Sequence, residues 1–303
     1  MTESPPELSV IICTYNRANL LARCLDSFVD QTLDSQRFEL IVVNNRSTDD
    51  TSAVLEQFRI KIKNLQVFWE ENAGLSYARN RGIRESRGAL IAFIDDDARA
   101  SSNWCQEIIS FFSNHKDAAA VGGPYTAYYD SPRPEWFLDR YGSWNLGEGL
   151  KIMGNDEYVN GTNMIFRKFI FEKIGLFNTG IGMKGSKISF GEETNLHRRM
   201  NAAGYTVYYA PSIVVSHLVR AEKMNLFWLL KTRYAGGRSE SLIFQRKTSS
   251  LKLLILVIFQ FFSSIGEFFN SGEKYFRSRF ADAAGNFIYR FGVFIASLTR
   301  EKD

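Results

Sequence analysis

The stretch ALIAFIDDD at residues 89–97 is an apolar run that ends in three adjacent carboxylates. A buried strand rarely ends in like charges, because their repulsion costs free energy unless a cation offsets it. Asp95 and Asp97 lie two positions apart, so their side chains share one face of an extended backbone. Paired oxygen ligands of this kind suit Mg²⁺ or Mn²⁺. A solvated acidic turn before a helix is the alternative when these residues are considered alone.

Three strand-and-helix units precede this stretch. Each begins with a short apolar run typical of a buried strand and continues with apolar residues at helical spacing. The strands are predicted at Leu8–Thr14, Phe38–Val43 and Leu65–Trp69, and the helices at Asn19–Val29, Thr51–Arg59 and Leu75–Ser86. The alternation predicts a parallel sheet with covered faces. Ligands bind such sheets beyond the carboxyl ends of the strands, which is where Asp95–Asp97 lies.

The second half of the chain has a less regular pattern. A helix is predicted at Trp104–Asn114, and irregular structure is expected in the Gly-, Pro- and aromatic-rich residues 122–158. A strand is predicted over Tyr158–Phe166, and a helix runs from Glu192 to Gly204, a residue type common after a helix C-terminus. The acidic start of that helix is a second candidate for chemistry.

The chain has three histidines and three cysteines, few enough to weigh one by one. His217 follows a predicted short strand at Ile213–Val215, whereas His115 and His197 are expected to be solvated helix residues. The cysteines have no metal-binding spacing, and their odd number argues against a disulfide framework. Reduced thiols in a cytoplasmic protein are the simplest interpretation, and the polar start MTESPPELS predicts no signal peptide.

The charge of the chain is unevenly distributed. Residues 220–303 carry 14 basic and 7 acidic residues, whereas residues 1–219 carry 23 and 26. A basic, Phe-rich end on a mildly acidic body predicts an anionic partner, and a membrane surface is favoured over nucleic acid because no nucleic-acid motif is visible. The apolar segments Leu253–Phe262 and Phe287–Leu298 are shorter than the roughly 20 residues of a spanning helix, so core helices, interfacial helices and one tilted span all remain open.

Six segments, in order, resemble family-2 glycosyltransferases. They are SVIICTYNR at Ser9–Arg17, VVNNRSTD at Val42–Asp49, ENAGLSYARNRGI at Glu71–Ile83, FIDDDA at Phe93–Ala98, GTNMIFRKFIFEKIGLFN at Gly161–Asn178 and GEETNLHRRM at Gly191–Met200. The resemblance implies the GT-A fold, an α/β architecture with a Rossmann-like, mostly parallel central sheet. It assigns residues 1–219 to a catalytic domain, with a nucleotide-binding half at about 1–100 and an acceptor and catalytic half at 101–219. Residues 220–303 would form a helical extension.

The resemblance also implies which residues bind the nucleotide-sugar donor. Thr14, Tyr15 and Arg17 would line the base and ribose pocket. Asn44, followed by another Asn, stands where the family usually has a nucleobase-binding aspartate, so UDP-, dTDP- and GDP-sugars all remain candidate donors. Arg79 would face the diphosphate. Asp49 is expected to cap the helix that begins near Thr51 instead of contacting the base.

The metal and the chemistry are implied in the same way. Asp95 and Asp97 match the family's DxD positions and would hold Mn²⁺ or Mg²⁺, with His217 completing the site. Asp97 is expected to make the direct metal contact, and Asp96 is grouped with the donor-binding residues although its side chain should point to the opposite face. Glu193 would be the general base, ionised because it lies at a helix N-terminus.

The acceptor side is implied more broadly. Trp136, Trp144 and Asn160–Asn163 fall where the family binds acceptors, and aromatic faces stack on sugar rings. Arg233 and Arg238 could reach an acceptor phosphate or lipid head groups. The resulting prediction is a metal-dependent inverting glycosyltransferase that acts on a glycan or lipid-linked acceptor, bound peripherally at the cytoplasmic face of a membrane.

Two other functions remain in view. A degenerate homologue could act as a scaffold, because Asn44 and Glu193 depart from the family's usual aspartates. A sugar-1-phosphate nucleotidyltransferase would share the architecture, but it would need a Gly-rich basic loop after the first strand, and CTYNRAN is not one. A processive synthase is disfavoured because the end of the chain has no series of long spans and no QxxRW string.

Overall fold

The computed structural model describes residues 4–154, 157–184, 189–244, 255–258 and 276–300. The chain divides into two compact units. The first comprises residues 1–128, 143–185 and 192–218, and the second comprises residues 129–142, 186–191 and 219–303.

All the strands found among the described residues belong to the first unit. They are β1 (Leu8–Thr14), β2 (Phe38–Asn44), β3 (Leu65–Trp69), β4 (Leu90–Ile94), β5 (Ala98–Ala100), β6 (Ala118–Gly122), β7 (Tyr125–Tyr128), β8 (Lys151–Ile152), β9 (Asn163–Arg167), β10 (Thr206–Tyr209) and β11 (Val215–Leu218). Eight form one sheet in the order β3-β2-β1-β4-β9-β6-β10-β8. β9 runs antiparallel to both neighbours and β8 is antiparallel to β10, whereas the remaining pairs are parallel.

Six of the helices among the described residues belong to this first unit and flank the sheet. They are α1 (Ala18–Asp26), α2 (Thr51–Lys61), α3 (Leu75–Glu85), α4 (Trp104–Asn114), α5 (Phe169–Ile174) and α6 (Glu192–Ala202). Residues of β1 alternate between the two faces: Val10 and Ile12 belong to the core beside α1, α2 and α4, and Ile11 to the core beside α3, α5 and α6. Burial on both faces explains why the first strands are continuous apolar runs. The predicted mostly parallel α/β fold is therefore confirmed.

The other three strands form a small sheet in the order β5-β11-β7. β5 follows the three aspartates directly, and β11 pairs antiparallel with it, with His217 opposite Ala98. The backbone N–H of Leu218 also donates to the carbonyl of Asp97 at 2.9 Å. This pairing fixes His217 beside the end of β4.

The second unit is helical in its described part. It contains α7 (Leu226–Phe244), α8 (Phe276–Arg300) and short 3-10 turns at Asp139–Tyr141 and Ala221–Lys223. Gly237 and Gly292 let α7 and α8 approach closely, because a methyl group on either would overlap a backbone carbonyl of the facing helix. Within the described residues, neither of these helices nor any other is long and apolar enough to span a bilayer.

Several predicted boundaries are wrong. The strand expected over Tyr158–Phe166 begins only at Asn163, and the expected irregular region 122–158 contains β7 and β8. The strand expected at Ile213–Val215 is instead β11, which begins at Val215. The apolar segment Leu253–Phe262 lies outside the described residues except for residues 255–258, whereas Phe287–Leu298 is part of α8.

Candidate active site

The carboxyl ends of β1, β2 and β4 meet at one edge of the main sheet, because these neighbouring strands run parallel. Asp95 lies directly after β4 and accepts a hydrogen bond from the hydroxyl of Thr162 at 2.7 Å. Its other carboxylate oxygen lies 3.8 Å from Nη2 of Arg79. The side chain of Asp95 remains about one-third exposed, at 33%. It is thus oriented by the protein while still open to a ligand.

Asp97 lies two residues further on, and His217 reaches it from β11. Nε2 of His217 is 3.2 Å from Oδ1 of Asp97. Asp95, Asp97 and His217 each offer one ligand atom, and these three atoms lie within 4.8 Å of one another. The Nδ1 atom of His217 is buried without a hydrogen-bond partner among the described residues. The structure therefore brings together the three residues that the sequence predicts as metal ligands.

A buried ion pair lies beside this cluster. Nη1 of Arg79, on α3, donates to Oε1 of Glu192 at 2.8 Å, and both side chains are nearly inaccessible to solvent. The guanidinium also lies over the rings of Phe93 and Phe177. Arg79 is thus not a surface residue of its helix, and it connects the first turn of α6 with Asp95.

Glu193 follows Glu192 at the start of α6 and is half-buried. Its Oε2 has no hydrogen-bond partner among the described residues. Burial raises the pKa of Glu193 above its ordinary value of 4.5, the charge of Glu192 raises it further, and Arg79 opposes both. Desolvation and the like charge of Glu192 thus act against the ionised form of Glu193 that the helix N-terminus favours.

Asp96, the middle carboxylate, is buried and fully engaged. It accepts hydrogen bonds from the hydroxyl of Thr14 and from Nη1 of Arg17, each at 2.8 Å. The same Arg17 atom lies 3.5 Å from Oδ2 of Asp97. Burial raises the pKa of Asp96 and Arg17 opposes the shift. Thr14 and Arg17, predicted to line the base and ribose pocket, contact these aspartates, and their role toward a nucleotide stays a prediction.

Asn44, which is predicted to bind the donor, and Asp49 both form hydrogen bonds to backbone groups of the protein. Oδ1 of Asn44 accepts from the backbone N–H of Ser47 at 2.9 Å. Asp49 accepts from the N–H groups of Thr51 and Ala18, at the starts of α2 and α1. Asp49 is not the N-cap residue of α2, which is Asp50, although its carboxylate accepts from the first residue of that helix. The nucleobase role of Asn44 stays a prediction. Tyr15 is 47% exposed and is the most accessible of the predicted base-pocket residues.

The predicted acceptor residues divide between the two units. Trp144 stacks on Tyr125, whose ring lies 5.2 Å from the ring of His217. Asn163 is fully buried, and its carboxamide donates to the carbonyl oxygens of Pro124 and Ile213, so it holds the fold together. Trp136 packs on Phe137 in the second unit.

The remaining predicted residues are not members of the group formed by Asp95, Asp97 and His217. Arg233 and Arg238 belong to α7. The expectation for His197 is wrong, because this residue is 1% exposed. His115 ends α4 and is half-buried, with Nδ1 3.0 Å from the carbonyl oxygen of Phe111.

The sequence patterns did not reveal the contacts that three residues make in the candidate site. Thr162 orients Asp95, and Glu192 pairs with Arg79. Gly161 lies so close to the base that a Cβ there would come 2.6 Å from Nη2 of Arg79 and 3.2 Å from Oε1 of Glu193. The Gly-Thr dipeptide before β9 was the available signal, but nothing in the sequence shows what it faces.

Comparison with known proteins identifies the family. The profile of "Glycosyl transferase family 2" matches residues 9–175. Glycosyltransferase AglE of Haloferax volcanii is 28% identical over 266 residues, covering 86% of this chain and 83% of the relative. The succinoglycan biosynthesis protein ExoM of Rhizobium meliloti is 27% identical, with 81% of this chain and 77% of the relative covered.

Solved structures support the same fold. The mannosyltransferase PcManGT of Pyrobaculum calidifontis, in complex with GDP-Man and Mn²⁺, has a TM-score of 0.62 at 15% identity and covers 97% of this chain and 74% of its own. S. aureus TarS 1-349 in complex with UDP has a TM-score of 0.56 at 17% identity, with 98% and 92% covered. The fold is GT-A. The chain belongs to glycosyl transferase family 2 and is a transferase enzyme.

Proposed function

We propose that the protein is a metal-dependent, inverting glycosyltransferase that moves a sugar from a nucleoside-diphosphate donor to a hydroxyl group of a glycan or lipid-linked acceptor. The observation that carries this proposal is the convergence of Asp95, Asp97 and His217 within 4.8 Å at the edge of the sheet. This edge is where parallel α/β sheets bind ligands.

The donor atoms of this cluster fit a divalent cation. Two carboxylates and one imidazole suit Mn²⁺ better than Mg²⁺, because Mg²⁺ prefers oxygen ligands. Thr162 and the pairing of β5 with β11 orient Asp95 and His217. When bound, the metal would supply Lewis-acid stabilisation of the charge on the departing nucleoside diphosphate. PcManGT, which has the same fold, was solved with GDP-Man and Mn²⁺.

Glu193 is the proposed general base. Its carboxylate has an oxygen without a partner among the described residues, so it can accept the proton of the acceptor hydroxyl. Burial and Glu192 raise its pKa, which increases its strength as a base once it is ionised. Arg79 limits this shift and holds Glu192 in place. The acceptor oxygen would bond to the anomeric carbon as the nucleoside diphosphate leaves, and the hydroxyl proton would pass to Glu193. This single displacement inverts the configuration of the anomeric carbon.

The donor is proposed to be a nucleotide sugar of the UDP, dTDP or GDP type. Two solved structures of this fold contain UDP or GDP-Man, which leaves the base open for this chain. Tyr15 is exposed beside the end of β1 and could stack on the base or ribose. Asn44, at the end of β2, is the nearest match to the family's base-binding position.

The proposed acceptor is part of a membrane-linked glycan. One relative is the glucosyl-dolichyl phosphate glucuronosyltransferase of Haloferax volcanii, which is 28% identical over 77% of this chain. The net positive charge of residues 220–303 and their many Phe residues favour contact with an anionic lipid surface. We therefore propose peripheral binding at the cytoplasmic face of a membrane, without nucleic acid as a partner.

A thermal-shift screen of nucleotide sugars, each with Mn²⁺ and with Mg²⁺, tests this proposal. A ligand that binds only the folded state raises the apparent Tm by mass action. The expected result is that one nucleoside-diphosphate sugar raises Tm strongly in the presence of Mn²⁺ and that the Asp97→Asn variant loses the metal-dependent part. The function would be wrong if no sugar nucleotide stabilised the protein, or if Asp97→Asn responded like the wild type.

A further inference from the structure

Arg17 places its guanidinium against two of the three adjacent aspartates. Nη1 lies 2.8 Å from Oδ1 of Asp96 and 3.5 Å from Oδ2 of Asp97. Both carboxylates are about 4% exposed, whereas the Arg17 side chain is 34% exposed. The contact is thus a charge-assisted hydrogen bond to one buried carboxylate and an ion pair with the other.

The backbone around Arg17 is held on both sides. The N–H of Asn16 donates to the hydroxyl of Ser47, and the N–H of Ala18 donates to Asp49, each at 2.9 Å. Asn16 adopts a left-handed conformation with φ of 52°, which few residue types other than Gly tolerate as well as Asn does. These contacts fix the backbone position from which the Arg17 side chain extends, independently of any ligand.

The oxygens of Asp96 and Asp97 are divided among protein partners. Asp96 uses one for Thr14 and one for Arg17. Asp97 turns Oδ2 to Arg17 and Oδ1 to His217. Arg17 is therefore one cation that offsets the repulsion between these two neighbouring carboxylates.

We propose that Arg17 is an internal counter-ion of the cluster formed by Asp95, Asp97 and His217. Without nucleotide, Arg17 weakens the affinity of this cluster for a divalent cation. Binding of a nucleoside diphosphate together with the metal relieves this effect. A guanidinium fixed beside a metal ligand repels an incoming dication. The phosphates carry negative charge that attracts both cations, so metal and nucleotide favour each other's binding. This inference rests on the proposed function, because it takes the cluster as the metal site.

Calorimetric titration of Mn²⁺ into the whole protein tests the inference directly. The titration is made without nucleotide and with saturating UDP or GDP. The wild type should bind Mn²⁺ weakly alone and more tightly with nucleotide. The Arg17→Gln variant should bind Mn²⁺ alone at least about tenfold more tightly and gain less from the nucleotide. Arg17→Lys keeps the charge and should resemble the wild type, as should Arg59→Gln on the exposed surface of α2.

A second pair of variants guards against misfolding of Arg17→Gln. Asp96 pairs with Arg17 but is not among the three grouped ligands. Asp96→Asn should weaken Mn²⁺ binding, because it removes the closer of the two carboxylates that neutralise Arg17. The double variant Arg17→Gln with Asp96→Asn restores the net charge of the site, so its affinity should return to within about threefold of the wild type.

Three results of these titrations would contradict one or both proposals. Equal or weaker Mn²⁺ binding by Arg17→Gln, with wild-type binding intact, overturns the counter-ion role and leaves the proposed function standing. A double variant that binds as weakly as Asp96→Asn overturns it independently. If the wild type binds no Mn²⁺ with or without nucleotide, the metal site itself is wrong, and both proposals fail together.

Discussion

Arg79 and Glu192 form an ion pair at 2.8 Å in which both side chains are almost completely buried. A buried charge without a partner is costly, so each residue requires the other. The pair joins α3 to α6 and puts a positive charge between Asp95 and Glu193. One guanidinium therefore interacts with both Asp95, a proposed metal ligand, and Glu193, the proposed base.

Gly161 leaves the space that this arrangement needs. A Cβ at Gly161 would lie 2.6 Å from Arg79 and 3.2 Å from Glu193, so Gly161→Ala should displace both side-chain ends. We expect kcat to fall by up to about 100-fold, because small displacements of catalytic groups are costly, while the Tm changes little. Gly149→Ala is the matched control, since a Cβ there would have no neighbour within 4 Å. Equal kcat values for the two variants would contradict the placement of the base.

Glu193→Gln should separate binding from chemistry. The amide is nearly isosteric with the carboxylate but cannot accept the acceptor's proton, so we expect transfer to fall roughly 100- to 10,000-fold while the donor Kd stays within a few-fold. Calorimetry gives the donor Kd, and single-turnover transfer gives the rate. Glu172→Gln, on the exposed side of α5, is the control for a lost surface carboxylate. Lost donor binding with an unchanged rate would exclude Glu193 as the base.

The pH dependence of transfer should show the raised pKa of Glu193. Burial and Glu192 move the pKa upward from 4.5, so the carboxyl group is protonated over a wider range on the acid side. The base works only when ionised, so kcat should rise with pH through a midpoint clearly above 4.5 and then level off. The assay needs saturating Mn²⁺ at each pH, so that loss of the proposed metal does not limit the rate. A plateau that already begins near pH 5 would rule out the shift.

His197 should make folding sensitive to acid. Burial lowers its pKa from 6.5 to about 4, although Asn201 opposes the shift, so the folded state resists protonation. Between those values the unfolded chain binds a proton that the folded chain does not, and stability falls as pH falls. The loss reaches about 3 kcal/mol at most. Urea unfolding of His197→Gln against the wild type should show a difference that shrinks or reverses toward pH 4.

His115→Gln removes an imidazole from a half-buried site and serves as the control for that experiment. If both variants showed the same pH dependence relative to the wild type, burial of His197 would not be its cause. Each variant must be compared with the wild type because the titration of Asp96 changes the stability in the opposite direction. Its raised pKa favours the folded state as pH falls through about 6.

The first half of the fold was predictable because its strands are buried on both faces. Apolar runs such as Phe38–Val43 have few alternatives to a central strand, and the structure extends this one by a single residue. Strand direction was not predictable for β9, since an apolar run looks the same in either orientation. The burial of His197 was also missed, because a polar residue beside the apolar Leu196 gives no sign of which tertiary contacts cover it.

The sequence predicts which residues meet at the candidate site, but it predicts fewer of the contacts between their side chains. Asp95, Asp97 and His217 were expected together and lie together. The partners of Arg17 and Arg79 were not foreseen, because long side chains reach neighbours that sequence spacing does not reveal. The same limit applies to Gly161, whose importance depends on the side chains packed against its Cα.

The most direct test of the metal site is anomalous diffraction from crystals soaked with Mn²⁺ and the nucleoside diphosphate that stabilises the protein. One strong manganese peak is expected at coordination distance from Asp95, Asp97 and His217, and it should disappear in Asp97→Asn crystals. A manganese peak elsewhere, or nucleotide density with no peak among these three residues, would contradict the proposed metal site.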